Sequence, residues 1–301
     1  MPENKTEFND WCPGCGDFGI LRSVESVLSD MKLDYTNAAI VSGIGCSGKA
    51  PHFISGPISG VHTLHGRALA FATGIKLASP NMNVIVEAGD GDTFGIGVGH
   101  FVSAGRRDLS ITVIVHDNGV YGLTKGQASP TLAYNEQTKS LPRPNINNPI
   151  NPIVLALASG YSFVARSFAY NVALTNQIMK KAISHKGAAF IDILQPCPTY
   201  NNINTNEWYR NRVYTPQIDY LVEDLSEKRK KISAAIDLAE QENDKIALGI
   251  FYQNELDSPF EERITQEIIN YKERPPSSQE IDYKGSPITD IEDLISKARV
   301  I

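Results

Sequence analysis

Apolar residues fall along this chain in two rhythms. Short unbroken runs at Ala38 to Val41, Val84 to Val86, Ile111 to Val115, Phe163 to Arg166 and Ala188 to Leu194 are rich in β-branched residues and read as buried strands. Between them the spacing turns helical. Apolar positions 20, 21, 24, 27, 28 and 31 predict a helix from Phe18 to about Met31. His65 to Arg67 leads into a helix ending near Ala78, whose small residues Ala68, Ala70, Ala72 and Gly74 suit close packing on a sheet. A glycine-rich helix start is expected at Thr93 to Gly99, and further helices at Pro152 to Ser159 and Asn171 to His185. Strand and helix alternating in this way predict a doubly wound, mostly parallel α/β sheet with helices on both faces. Beyond Tyr200 the pattern changes. A charged amphipathic helix is expected over Leu225 to Glu242, one more strand over Lys245 to Tyr252, and a Pro/Ser-rich loop or wrapping arm over Pro275 to Gly285. This divides the chain into a core domain at residues 1–200, whose first ten residues read as a polar surface arm, and a C-terminal extension at 201–301 that packs on the core or on a partner.

The strands stop on unusual residues. The run at Val84 ends in Gly89-Asp90-Gly91, and the run at Ile111 ends in Asp117-Asn118-Gly119, placing Asp90 and Asn118 at two parallel strand ends 28 residues apart. Open α/β sheets bind ligands at that edge. A carboxylate and an amide oxygen make a hard, oxygen-only site of the kind Mg²⁺ shares with substrate phosphates. The helix start after Gly91 offers unpaired N–H groups to those phosphates. Gly-Asp-Gly alone is common in turns; its pairing with an Asn at a second strand end is what points to a magnesium-diphosphate site. Tyr121 to Asn151 is long and rich in Pro, Asn and Thr, which suits a covering loop or a partner surface.

Composition narrows the classes. The chain has 301 residues, 42% of them hydrophobic, a net charge of −6 and a pI near 5.6. This is no basic nucleic-acid footprint. No run approaches the ~18 apolar residues of a membrane span, and the first residues have no apolar signal core, so a cytoplasmic location is expected. The four cysteines, Cys12, Cys15, Cys46 and Cys197, all lie beside or near Pro or Gly. In such a chain they are metal ligands or free thiols rather than disulfides. Spacing alone leaves three readings open: a structural Zn²⁺, a [4Fe–4S] cluster, or buried thiols with no metal.

The span Gly89 to Thr131, with Gly105-Arg106-Arg107, Asp117-Asn118, Tyr121-Gly122 and Gly126 to Thr131, resembles the thiamine-diphosphate motif of the 2-oxoacid:ferredoxin oxidoreductase β subunits. Trp11 to Gly16, Gly45 to Gly48, His65 to Ala68 and Gln195-Pro196-Cys197 extend the resemblance over about the first 200 residues. It implies the thiamine-diphosphate-binding fold, with Mg²⁺ on Asp90, Asn118 and the Val120 carbonyl. It implies a [4Fe–4S] cluster on Cys12, Cys15, Cys46 and Cys197. It places Ile44, Gly45, Cys46, Ser47, His65, Gly91, Asp92, Gly122 and Leu123 around the cofactor. The implied reaction is oxidative decarboxylation of a 2-oxoacid such as pyruvate or 2-oxoglutarate with coenzyme A, giving acyl-CoA, CO₂ and reduced ferredoxin. The implied partner is a second subunit (α, or a fused γ-α) with the pyrimidine-binding domain and the activating carboxylate.

Other residues are weighed beside these. His100, His116, Arg106 and Arg107 suit structural roles, and Glu87 and Glu25 are poor candidates for the activating acid. Lys49 and Lys125 each follow a cofactor loop. They are either solvated lysines or cations for the substrate carboxylate, and relatives often carry Gly where Lys125 stands. Two other functions remain in view: a non-redox thiamine-dependent decarboxylase with a structural zinc on the four cysteines, and a non-catalytic cofactor-binding scaffold.

Overall fold

The computed structural model describes residues 9–241 and 244–287. Its regular elements are, in chain order, α1 (Asp17–Asp30), β1 (Ala38–Ser42), β2 (Ser59–His62), α2 (Ala68–Ala78), β3 (Asn83–Gly89), α3 (Val98–Arg107), β4 (Ile111–Asp117), α4 (Pro152–Ser159), β5 (Phe163–Phe168), α5 (Val172–Ser184), β6 (Ala189–Leu194), α6 (Lys228–Ala239), β7 (Gly249–Gln253) and α7 (Phe260–Glu267). These seven strands form the main sheet in the order β7–β5–β6–β4–β3–β1–β2, parallel throughout except for β7, which runs antiparallel against β5, and short two-stranded pairs lie outside it.

Strand residues alternate between two cores because successive side chains leave opposite faces of a strand. Val84, Val86, Val113 and Val115 join Phe94, Phe101 and Phe190 on the face covered by α2, α3, α4 and α6. Ile40, Ile85, Ile114 and Ile191 join Ile20, Val24 and Met179 on the face covered by α1 and α5. With both faces covered, the central strands are continuously apolar. The register pairs Ser42 with Glu87, Gly89 with His116 and Asp117 with Leu194. The loops after β1, β3, β4 and β6 therefore all leave the same edge.

Several expectations change in detail. α1 begins one residue earlier than its apolar pattern. The helix expected at Thr93 to Gly99 is a π-helical turn, Gly91–Ile96, followed by α3 from Val98. The single strand expected over Lys245 to Tyr252 is two: Ile246–Ala247 pairs with Val213–Tyr214, and β7 starts at Gly249, whose φ of +132° turns the chain from one sheet into the other. The amphipathic helix is a 3₁₀ turn, Leu225–Glu227, continuing as α6; its expected end at Glu242 lies outside the described residues, as do the first eight residues of the N-terminal arm. β2 went unread because its sequence, Ser-Gly-Val-His, is largely exposed at the sheet edge. Residues beyond 200 supply α6, packed on α4, and the edge strand β7. No helix among the described residues is long and apolar enough to cross a membrane.

Candidate active site

A cleft of about 170 Å³ opens where the loops after β1, β3 and β4 meet. Its walls include Ile44, Gly45, Cys46, Ser47, His65, Asp90, Gly91, Asp92, Asn118, Val120, Gly122 and Leu123, together with Gly89, Tyr121 and Thr124. All twelve residues expected around the cofactor and its metal are thus brought to one place. A larger cavity of about 510 Å³ opens at the opposite edge, among Asp108, Tyr252 and Asp257, and contains none of them.

Asp90 is almost fully buried. Burial pushes its carboxyl up, and hydrogen bonds from Ser129, Thr131 and main-chain N–H groups pull it back. Its Oδ2 accepts from the Gly119 N–H at 3.0 Å and from the Ser129 and Thr131 hydroxyls. Thr131 Oγ1 also lies 2.7 Å from Asp117 Oδ1. Burial, with Asp192 and Asp90 nearby, pushes the Asp117 carboxyl well above its ordinary value. Asn118 is equally fixed. Its Oδ1 accepts from the Val120 N–H at 2.9 Å and its Nδ2 donates to Gln195 Oε1 at 2.6 Å. A carboxylate, an amide oxygen and the neighbouring Val120 carbonyl form a hard donor set that fits Mg²⁺.

Asp92 holds the loops rather than pointing free into the cleft. Its Oδ1 accepts from the N–H groups of Ile44 (3.0 Å) and Gly66 (2.8 Å) and meets His65 Nδ1 at 2.5 Å. A Cβ on Gly43 would stand 1.9 Å from Asp92 Oδ2, so only glycine lets the β1 loop approach. On the other wall the Tyr121 ring lies so close to Gly91 that a Cβ there would sit 2.4 Å from it. These bare backbone positions leave the cradle a diphosphate needs.

The four cysteines are free and come from separate places in the chain, except for the Cys12 and Cys15 turn. Cys15 N–H donates to the Cys12 carbonyl at 3.0 Å, Trp11 Nε1 donates to the Cys46 carbonyl at 2.8 Å, and Gly16 N–H donates to the Pro196 carbonyl at 3.0 Å. These bonds tie the N-terminal turn to the β1 and β6 loops. Burial pushes the thiols up: Cys46 to about 11, Cys197 upward, and Cys15 far upward with help from the Asp17 charge. Cys197 and Cys12 lie near enough to Cys46, and Cys197 near enough to Cys15, to raise those two thiols further. Among the described residues, no three His, Cys, Asp or Glu side chains converge within reach of one ion. Four thiols, unpaired in disulfides and partly buried, are a soft donor set of the kind an iron–sulfur cluster takes, and such a cluster spans more space than a single ion. Cys46 also lines the cleft, its Sγ facing Gly122.

The remaining candidates fall elsewhere. Lys49 Nζ is 2.8 Å from Asp10 Oδ2, and Lys125 is exposed with φ of +78°; neither lines the cleft. Glu25 accepts from Ser55 at 2.8 Å, and Glu87 is sealed in β3. His116 stands between Asp17 (2.7 Å) and Glu87 (2.6 Å). Burial alone pushes its imidazole down, but the two carboxylates outweigh that and hold it up to about 9. The sequence pattern gave no role to Tyr121, Ser129, Thr131 or Gln195. The signal for Gln195 and Thr131 was a polar residue just past, or folded back onto, an apolar strand end.

Comparison with known proteins fits this geometry. Residues 43–193 match the family described as thiamine pyrophosphate enzyme, C-terminal TPP binding domain. The chain is therefore a thiamine-diphosphate-binding α/β protein. Residues 197–267 match a second family, the C-terminal part of the pyruvate ferredoxin oxidoreductase beta chain. The 2-oxoacid:ferredoxin oxidoreductase subunit beta of Saccharolobus solfataricus is 58% identical over 98% of both chains. 2-Oxoacid:ferredoxin oxidoreductase 1, subunit beta, of Aeropyrum pernix is 53% identical over 93% of this chain and 90% of that one. A solved 2-oxoglutarate:ferredoxin oxidoreductase from Magnetococcus marinus, with 2-oxoglutarate, coenzyme A and succinyl-CoA bound, aligns with a TM-score of 0.81. It is 34% identical, over 98% of this chain and 94% of that one. This chain belongs to the 2-oxoacid:ferredoxin oxidoreductase β subunits.

Proposed function

We propose that this protein forms the diphosphate half of an active site for CoA-dependent oxidative decarboxylation of 2-oxoacids, with Mg²⁺ on Asp90, Asn118 and Val120 and a [4Fe–4S] cluster on Cys12, Cys15, Cys46 and Cys197. One observation carries the reading: Cys46 belongs at once to the cofactor cleft and to the group of four thiols. Bound here, thiamine diphosphate would supply a nucleophilic carbon and an electron sink, and the cluster would supply one-electron transfer to ferredoxin. The protein's own part is positional. Asp90 and Asn118 would hold the diphosphate through the metal, Asp92 fixes His65 and the β1 loop beside it, and Cys46, on the cleft wall, would hold the cluster next to the cofactor. The bond from the keto carbon to the carboxylate breaks to release CO₂, the keto carbon gains a bond to the CoA sulfur as the thiol proton is lost, and the two electrons released pass one at a time to ferredoxin. Lys49, if it leaves Asp10, and Lys125 are the cations proposed for the substrate carboxylate.

The partner reading has its own support. The cleft is smaller than the ~300 Å³ at which ligand pockets usually begin. Its rim is apolar and exposed at Leu64 (70%), Ile96 (59%) and Leu123 (47%). Glu25 and Glu87 are both committed elsewhere. A second subunit with the pyrimidine-binding domain and an activating carboxylate would cover this rim. The loop from Tyr121 to Asn151 and the extension at 201–301 are its proposed contact surfaces.

The test is anaerobic purification followed by iron, sulfide and zinc analysis, then visible spectra with 2-oxoacid and CoA. Iron and sulfide in equal amounts, and bleaching by both substrates together, are expected. Stoichiometric zinc without sulfide would replace this reading with a non-redox decarboxylase.

A further inference from the structure

Gln195 stands where the two proposed centres meet. It follows β6, is 1% exposed, and its N–H donates to the Asp117 carbonyl at 2.7 Å. Its Oε1 accepts from Asn118 Nδ2 at 2.6 Å. Its Nε2 donates to the Pro196 carbonyl at 2.9 Å and to Cys15 Sγ at 3.2 Å.

Main-chain groups at the two ends fix both amides independently. The Val120 N–H can only donate, so Asn118 must turn its oxygen to it and its Nδ2 to Gln195. The Pro196 carbonyl can only accept, so Gln195 must turn its Nε2 to it. The two constraints give one arrangement. Packing locks it: a Cβ on Gly16 would stand 2.9 Å from Gln195 Cγ.

We infer that Gln195 is a positioning residue that joins the metal-binding amide of Asn118 to the sulfur of Cys15, so that one side chain orients the first and tunes the second. The inference rests on the Mg²⁺ and [4Fe–4S] assignments proposed above. As a thiolate, Cys15 has lost the proton it gives to Asp17 Oδ2 at 3.3 Å, and Gln195 Nε2 remains as a donor to it. Hydrogen bonds to cluster sulfurs are among the features that set the reduction potential, and donation to a thiolate favours the more negative, reduced state. A cation on Asn118 Oδ1 makes Nδ2–H a stronger donor to Gln195, which then donates more strongly to Cys15. Seating the diphosphate and its metal thereby raises the potential of the centre that receives the electrons.

The experiment uses the full chain with its partner subunit, purified anaerobically. Iron, sulfide and the electron paramagnetic resonance spectrum of the wild type come first; absence of the cluster would overturn the function proposed above, separately from this inference. Next come the midpoint potential, with and without Mg²⁺ and thiamine diphosphate, and calorimetric affinity for thiamine diphosphate with Mg²⁺. In the wild type the potential rises when the cofactor and metal bind. Gln195→Leu lowers the potential, abolishes its response to the cofactor, and weakens Mg-dependent binding by about 10–100-fold. Gln195→Glu keeps the acceptor for Asn118 but removes the amide donor, so affinity stays near wild type while the potential falls. If Gln195→Leu fails to assemble the cluster, Gln195→Glu decides. A wild-type potential indifferent to the cofactor, or an unchanged potential in Gln195→Glu, would overturn the inference.

Discussion

A carboxylate as enclosed as that of Asp90 is costly to ionise unless a cation stands beside it. Asp90→Ala is therefore expected to abolish Mg-dependent thiamine diphosphate binding; unchanged affinity by calorimetry would exclude Asp90 as a ligand. Gly43 offers a test of a residue that touches no cofactor. In Gly43→Ala the new methyl meets Asp92, the side chain on which Ile44, Gly66 and His65 all depend. Cofactor affinity should fall at least ~10-fold, by analogy with losses from supporting-shell mutations, while the circular dichroism spectrum stays native. The lysines are expected to differ. Lys125 is exposed, whereas Lys49 is paired with Asp10. Lys125→Ala should raise KM for 2-oxoglutarate more than for pyruvate, and Lys49→Ala should have the smaller effect; equal effects of Lys125→Ala on both substrates would remove its role. Asp90 and Asn118 were legible in the sequence because small and polar residues interrupt apolar runs at strand ends, whereas the other residues lining the cleft were reached through the family resemblance. The roles of Tyr121 and Gln195 were not legible, because they depend on which loops face one another across the edge, and that is fixed by register.

Elements show the same division between local pattern and pairing. α4 matches its apolar pattern residue for residue, because Asn151 caps its start through the N–H groups of Ile153 and Val154, and Gly160 ends it at φ of +93°. β2 and the break at Gly249 left no signal in the pattern, because an edge strand needs no apolar face and a sheet crossing has no periodicity. The end of α5 yields a test by pH. His185 follows that helix, is 5% exposed, and meets Ser162 Oγ at 2.8 Å and Glu255 Oε1 at 3.2 Å. Burial pulls its imidazole below the usual value, outweighing the carboxylate of Glu255. A histidine lowered in the folded state contributes stability that is present above its unfolded pKa of about 6.5 and is lost as pH falls through its folded value. Urea midpoints should therefore drop between about pH 7 and pH 5, and His185→Gln should flatten that drop. An equally steep fall in the variant would assign it to other groups.

For the whole molecule the central test is incompleteness. The chain alone, supplied with Mg²⁺, thiamine diphosphate, iron and sulfide, should reduce no dye with pyruvate and CoA, and adding its partner subunit should restore turnover. Full activity in isolation would show that the chain owns its activating acid. The order of the sheet also bears on biosynthesis. β5 is sealed on one side by β6 soon after it is made, but its other side waits for β7, roughly 80 residues later. At about 5–20 residues per second, the nascent chain carries an open hydrogen-bonding ladder for several seconds. That ladder reads Phe-Val-Ala-Arg-Ser-Phe, and Arg166 near its centre, which finally lies between Asp192 on β6 and Phe251 on β7, is a charge of the kind that interrupts an otherwise sticky apolar strand.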